Sequence, residues 1–150
     1  MSAVETAANV WGLTETHLEI REHARGVARQ FVAPRAHDID ASGEFPQDIR
    51  EIFAEQSLFG LPFEEEHGGT GTGSLALIIA IEEIAKVCGT SALLLAVQEL
   101  GSLPIKLAGT QAQKDQWLPK LASGEQLCAY GLTEPESGSD SAGMRTTAVR

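Results

Sequence analysis

Leu75, Leu77, Ile78, Ile79, Ile81 and Ile84 form a helix-length run that is apolar almost all round. A helix without a polar face has no side to offer water, so it belongs at the centre of a bundle. This feature predicts a mainly α fold built around one buried helix. Ser74 is the expected cap of that helix, and Gly89-Thr90 its end.

The flanking sequence supplies the other helices. Thr14 is a plausible N-cap, after which Ile20, Ala24, Val27, Ala28 and Phe31 recur at helical spacing between charged residues. Pro34 should interrupt that helix, which resumes through Ile39. Ser42 to Pro46 is a break, and Pro46 suits the first turn of a short helix to about Leu58. The Gly-rich stretch Leu61–Gly73 contains neither GxGxxG nor GxxxxGK[ST], so it reads as a shaped connection and not as a nucleotide loop. An apolar helix is expected over Ser91–Leu100, then a short segment over Pro104–Leu107. Thr110 to Gln113 is a capping box that opens a polar helix with Trp117 and Leu118 on its inner face. Pro119 predicts an irregularity, and Ser123-Gly124 closes the helical region.

The character then changes. Leu127 to Thr133 is short, apolar and β-compatible, Glu134 to Gly143 is a loop, and Thr146 to Val149 begins a second strand. The expected division is a flexible tail over 1–12, a helical domain over 13–124 and the start of a β domain over 125–150. Strands without partners leave N–H and C=O groups unpaired, so the β part reads as truncated.

Composition narrows the function classes. The net charge of −10 repels nucleic acid and anionic membrane surfaces, and neither is an expected partner. The strongest apolar runs, Leu75–Ile81 and Ala92–Val97, are too short to cross a bilayer. Cys88 and Cys128 lack CxxC spacing and read as reduced thiols, which suits a reducing compartment and a cytoplasmic location. Met1 to Trp11 carries no basic residue and no long apolar run, so neither a secretory signal nor an Arg-rich transit peptide is expected. His17, His23, His37 and His67 show no metal-ligand spacing and read as solvated or surface residues.

One segment, Gly131 to Gly143, suits a loop that binds an anionic, planar cofactor. Leu132 and Thr133 can offer backbone N–H groups and a hydroxyl to a heterocycle edge. Gly138 permits close backbone approach, and the Ser139 hydroxyl can donate to a pyrophosphate oxygen without adding charge. Spacing alone favours a plain polar turn.

That segment, Gly-Leu-Thr-Glu-Pro-Glu-Ser-Gly-Ser-Asp-Ser-Ala-Gly, resembles the first signature of the acyl-CoA dehydrogenase family at every position. Leu118 to Glu125 resembles the family's helix-to-strand entry. Phe45-Pro46, the loop from Glu65 to Gly71, and Met144-Arg145-Thr146 resemble further landmarks. The resemblance covers nearly the whole chain from about Leu13.

The resemblance implies a helical bundle domain of acyl-CoA dehydrogenase type, followed by the first strands of a β domain. It implies FAD as cofactor and an acyl-CoA thioester as substrate, with α,β-dehydrogenation in which the β-hydride passes to the flavin. Tyr130, Leu132 and Thr133 would lie beside the flavin ring. Gly138 and Ser139 would face the FAD pyrophosphate, and Ser139 also the pantetheine arm of the substrate. Ala92, Ala96 and Leu100, with Leu93 and Val97, would line the deep end of the acyl pocket, although core packing explains each alone equally well. Glu134 and Asp140 would belong to the turn, and the catalytic base would be a Glu beyond Arg150. An electron-transferring flavoprotein would take the electrons, and the full-length protein would be a homo-oligomer, tetramer or dimer. An acyl-CoA oxidase, or a non-catalytic subunit that binds FAD or acyl-CoA, remain the alternatives.

Overall fold

The computed structural model describes residues 12–149. The expected tail over 1–12 lies outside them, Gly12 excepted. The chain is mainly α, as its periodicity predicts. Helix α1, Glu15–Val27, starts at Thr14, whose hydroxyl accepts from the His17 N–H while the His17 ring accepts from the Thr14 N–H. Pro34 does interrupt this helix. One π turn over Ala28–Val32 and one 3-10 turn over Ala33–Arg35 absorb the lost hydrogen bond, and α2, Ala36–Ser42, continues. Helix α3 covers Gln47–Glu55 and ends sooner than expected, because Ser57 turns left-handed before a 3-10 turn at Leu58–Gly60.

Helix α4, Gly73–Ala85, is the strongly apolar one. It begins before Ser74, which does not cap it. Thr72 holds the N-cap position, but its hydroxyl donates to the Leu61 carbonyl (3.2 Å) and so closes the Gly-rich loop instead. Nor is α4 buried all round: it packs against α1 on one side and α5, Gly89–Ala108, on the other. Leu75 and Ile78 on the remaining side are 43% and 58% exposed.

The two segments expected over Ser91–Leu100 and Pro104–Leu107 are one continuous helix, α5, with Pro104 inside it. A proline within a helix removes one backbone donor, and tertiary packing outweighs that loss here. By length and composition α5 is long and apolar enough to cross a membrane, which corrects the expectation from its shorter apolar runs. It also carries a half-buried ion pair, Glu99 to Lys106 at 3.1 Å, and the buried amide of Gln98.

Helix α6, Gln111–Ala122, has the expected capping box of Thr110 and Gln113, and it runs through Pro119 without a break. Leu118, Leu121 and Ala122 form its inner face, whereas Trp117 is largely exposed. Most buried apolar side chains, among them Phe53, Phe59, Ile84 and Leu95, form one core. Phe63 joins Leu118, Leu121 and Ala122 in a second, against which Cys128 packs.

Beyond Ala122 no strand forms among the described residues. Residues 127–133 are irregular backbone without a ladder partner, and a single bridge pairs Glu134 with Ser137. β structure needs a neighbouring strand to take its N–H and C=O groups, and residues 12–149 supply none.

Candidate functional site

The segment over 126–146 leaves the bundle at a turn that local sequence builds. Gly124 takes φ +73° with its backbone packed on Phe59; a Cβ there would lie 2.5 Å from that ring. Arg50 of α3 donates to the carbonyls of Gly124 and of Glu125 (2.9 Å), which holds the turn against the bundle. Gln98 of α5 holds the next residues. Its amide nitrogen donates to the Leu121 carbonyl (2.7 Å) and the Gln126 carbonyl (2.9 Å), and its oxygen accepts from the Cys128 N–H (2.9 Å).

The distal loop is tied to itself. The Glu134 N–H donates to the Ser137 carbonyl (2.9 Å), and the Ser137 N–H returns a bond of 3.2 Å. Ser137 is buried, and its hydroxyl donates to the Asp140 carbonyl. The Glu134 carboxylate accepts from the Arg145 N–H (2.7 Å) and the Thr146 N–H (2.9 Å), so it staples the two ends of the loop together. Bonds from the Thr146 side chain, and then from these two N–H groups, pull the Glu134 carboxyl below its ordinary range. Asp140 precedes the 3-10 turn Ser141–Gly143 without capping it through its side chain. Both carboxylates thus sit in the turn, Glu134 with a definite bonding role.

Tyr130, Leu132, Thr133, Gly138 and Ser139 are all exposed along this segment. Among the described residues, the N–H groups of Leu132, Thr133, Gly138 and Ser139 donate to no protein acceptor. Around Gly138 the only side-chain atom that an added Cβ would approach is Thr133 Cγ2, at 3.9 Å. Free N–H groups with hydroxyls are a donor set suited to a heterocycle edge and to phosphate oxygens, and the intervening carboxylates of Glu134 and Glu136 are engaged by Arg145 and Thr146. The donor chemistry therefore fits FAD.

The three expected pocket residues on α5 have different surroundings. Ala92 is buried in the main core, Ala96 is half-buried and Leu100 is exposed. A groove of about 180 Å³ runs between α5 and the start of the extended segment, lined by Phe45, Leu93, Leu94, Val97, Leu127 and Cys128. Leu93 and Val97 therefore reach the same groove as Leu127 and Cys128. A cleft of about 390 Å³ lies between α1 and α4, beside Arg21, Arg25, Leu75, Ile78 and Lys86, and contains none of the expected site residues.

No cluster of metal-ligating side chains exists among the described residues. His67 differs from its expected surface position. It is buried in the Gly-rich loop, with Nε2 at 3.4 Å from Glu66. Both cysteines are free, and burial pushes the Cys128 thiol pKa up. The residues missed at the level of sequence are Arg50 and Gln98. The available signal was a lone amide in the otherwise apolar run from Ala92 to Val97 and Leu100.

The profile of the acyl-CoA dehydrogenase N-terminal domain matches residues 14–125. A probable acyl-CoA dehydrogenase of Bacillus subtilis is 40% identical over 138 residues, 91% of this chain and 36% of that protein. Among solved structures, butyryl-CoA dehydrogenase from Megasphaera elsdenii superposes with a TM-score of 0.80 at 34% identity, over 89% of this chain and 36% of that one. An acyl-CoA dehydrogenase from Bacillus anthracis, solved in complex with FAD, gives 0.79 at 32% identity, over 88% of this chain and 23% of the other. The chain thus spans little more than a third of the curated relative's length. On this matched domain and these relatives, the chain belongs to the acyl-CoA dehydrogenase family.

Proposed function

We propose that this chain carries the N-terminal part of the flavin and thioester site of an enzyme that dehydrogenates acyl-CoA. The observation that carries the reading is the row of exposed, unpaired N–H groups at Leu132, Thr133, Gly138 and Ser139, inside a segment with the family's signature. Thr133 holds the edge of the FAD ring beside Tyr130 and Leu132. Gly138 and Ser139 hold the pyrophosphate, and Ser139 also reaches the thioester's pantetheine arm. Ala92, Ala96 and Leu100 lie at the deep end of the acyl pocket. The bound flavin supplies the two-electron chemistry, while the protein supplies orientation and electrostatics. The α-proton goes to a Glu placed beyond Arg150. Electrons leave to an electron-transferring flavoprotein, and the full-length enzyme is a cytoplasmic homo-oligomer, tetramer or dimer, with no nucleic-acid partner. Helix α5 acts as a core element and not as a membrane span, since it bears Gln98 and the Glu99–Lys106 pair. On this reading the chain divides at about Gly124 into a helical domain and the start of the flavin-binding β domain.

Three substitutions in the full-length enzyme test the site. Thr133→Val keeps the shape and removes the hydroxyl, which costs roughly 1–3 kcal/mol of flavin binding and shifts the flavin spectrum. Ser139→Ala weakens FAD or thioester binding and leaves the spectrum nearly unchanged. Ser141→Ala, at a variable position of the signature, changes neither. Equal flavin affinity, spectrum and thioester affinity in all three would reduce the loop to a plain turn. The 150-residue chain supplied with FAD should not turn over acyl-CoA, because its base is absent; steady reduction of an acceptor would sink that assignment.

A further inference from the structure

Helix α5 carries the expected acyl-pocket residues and touches the start of the segment that bears the proposed flavin residues, and one side chain on it makes the directed bonds between them. Gln98 is 2% exposed, on a helix whose other buried side chains are mostly apolar or small. A buried amide is unfavourable unless it is bonded, and this one is satisfied on both of its atoms: Nε2 by the Leu121 and Gln126 carbonyls, Oε1 by the Cys128 N–H. All three partners are backbone groups, at the end of α6 and the start of the extended segment. Among the described residues, Cys128 provides the one N–H between Leu127 and Thr133 that donates within the protein. Without a sheet ladder, that bond and the one to the Gln126 carbonyl hold the start of the segment against α5, ahead of Tyr130 to Thr133. Gly101, almost one turn further on, secures the approach: a Cβ there would lie 2.3 Å from Cys128 Cβ. Leu93 and Val97 of the same helix line the groove beside Leu127.

We infer that Gln98 is a positioning residue that sets the register of the flavin-facing segment, residues 126–133, against the acyl-pocket helix. This rests on the proposed flavin role of Tyr130 and Thr133, but the placement itself is measurable without flavin.

Tyr130 is the chain's single tyrosine, so 3-fluorotyrosine labelling yields one ¹⁹F resonance at the site. Gln98→Met keeps the length and removes the three bonds. The Cys128 amide should then exchange with solvent at least about tenfold faster, and the Tyr130 resonance should move or broaden, while α6 amides stay protected. Gly101→Ala provides the second arm. Alanine favours the helix, so the bundle remains folded while the new methyl displaces Cys128 and moves the same resonance. An unchanged Tyr130 resonance and unchanged Cys128 exchange in Gln98→Met would overturn the inference, whatever Gly101→Ala does. Should Gln98→Met unfold the bundle, Gln98→Asn, which keeps the amide but shortens it by one methylene, decides by the same two readouts. A titration of the full-length protein with FAD then separates the two levels. Weaker flavin binding in both variants supports the positional role within the flavin site. A moved resonance with wild-type flavin affinity leaves the register claim standing and removes Tyr130 and Thr133 from the flavin site.

Discussion

The bundle from Thr14 to Ala122 and the segment from Ser123 to Val149 are held by different physics. The bundle rests on buried apolar area, with Phe53 and Phe59 edge to face at 6.2 Å near its middle. Its helix ends are closed by local caps at Thr14 and Thr110. The segment buries little beyond Gly124, Ser137 and part of Cys128. Its attachment is a short set of directed bonds: Arg50 and Gln98 from the bundle, and Glu134 within itself. Non-directional burial tolerates small shifts of geometry; a few hydrogen bonds define one geometry but contribute modestly to stability. The region expected to stand against a cofactor is therefore the region whose position depends on single side chains.

The largest test of this contrast is Phe53→Ala. Phe53 is fully buried, and its truncation should cost about 3–5 kcal/mol, read as a lower midpoint in urea. The segment should be released in the same transition, because Arg50 and Gln98 are bundle residues. Release of the segment at lower urea than the bundle would show that it is not anchored as described.

A smaller effect comes from a carboxylate buried in the bundle. Glu83 of α4 accepts from Arg25 Nε (3.0 Å) and from Lys86 Nζ (2.7 Å). The Arg25 bond first, and Lys86 after it, hold its pKa at about 2 against the opposing effect of burial. Since the folded pKa is depressed, the stabilisation is present in full above the unfolded value of 4.5 and is lost as pH falls through about 2. The partners are partly exposed, so the loss should be roughly 1–3 kcal/mol. Denaturation midpoints of Glu83→Gln should fall less steeply than wild type across that window. Parallel curves would remove Glu83 from the account.

The smallest global effect is expected at Glu134, in the segment. Glu134→Gln leaves one amide oxygen to serve the N–H groups of Arg145 and Thr146, which both exchange faster, while the melting midpoint of the bundle does not move. A lowered midpoint would mean that the loop contributes to the bundle's stability and that the two regions are not separable.

Much of the bundle was legible because its signals are local. Apolar residues at helical spacing, Thr14 and Thr110 with their partners three residues on, and Pro34 all act within one or two turns. The misreadings involve distant partners. Ser74 does not cap α4, because the helix starts at Gly73, two residues earlier than a Ser74 cap implies, and Leu61 engages the Thr72 hydroxyl. Pro104 and Pro119 remain inside helices because packing outweighs one missing donor. His67 is buried by its folded loop, which residue spacing does not reveal. For the site, the signature from Gly131 to Gly143 was readable as a string, but its supports, Arg50 and Gln98, stand 74 and 28 residues from the carbonyls of Gly124 and Gln126 that they hold.

By itself, then, the sequence determined the helical class, the helix starts at Thr14 and Thr110, the turn at Gly124 and the family signature. Each follows from a residue's own conformational preference or from partners within a turn of it. Only the tertiary structure decided which face of α4 stays exposed, that α5 is one helix, and where the segment after Gly124 lies against it. Those outcomes depend on side chains and backbone groups far apart in sequence, and no local preference encodes which distant carbonyl a buried amide such as Gln98 will find.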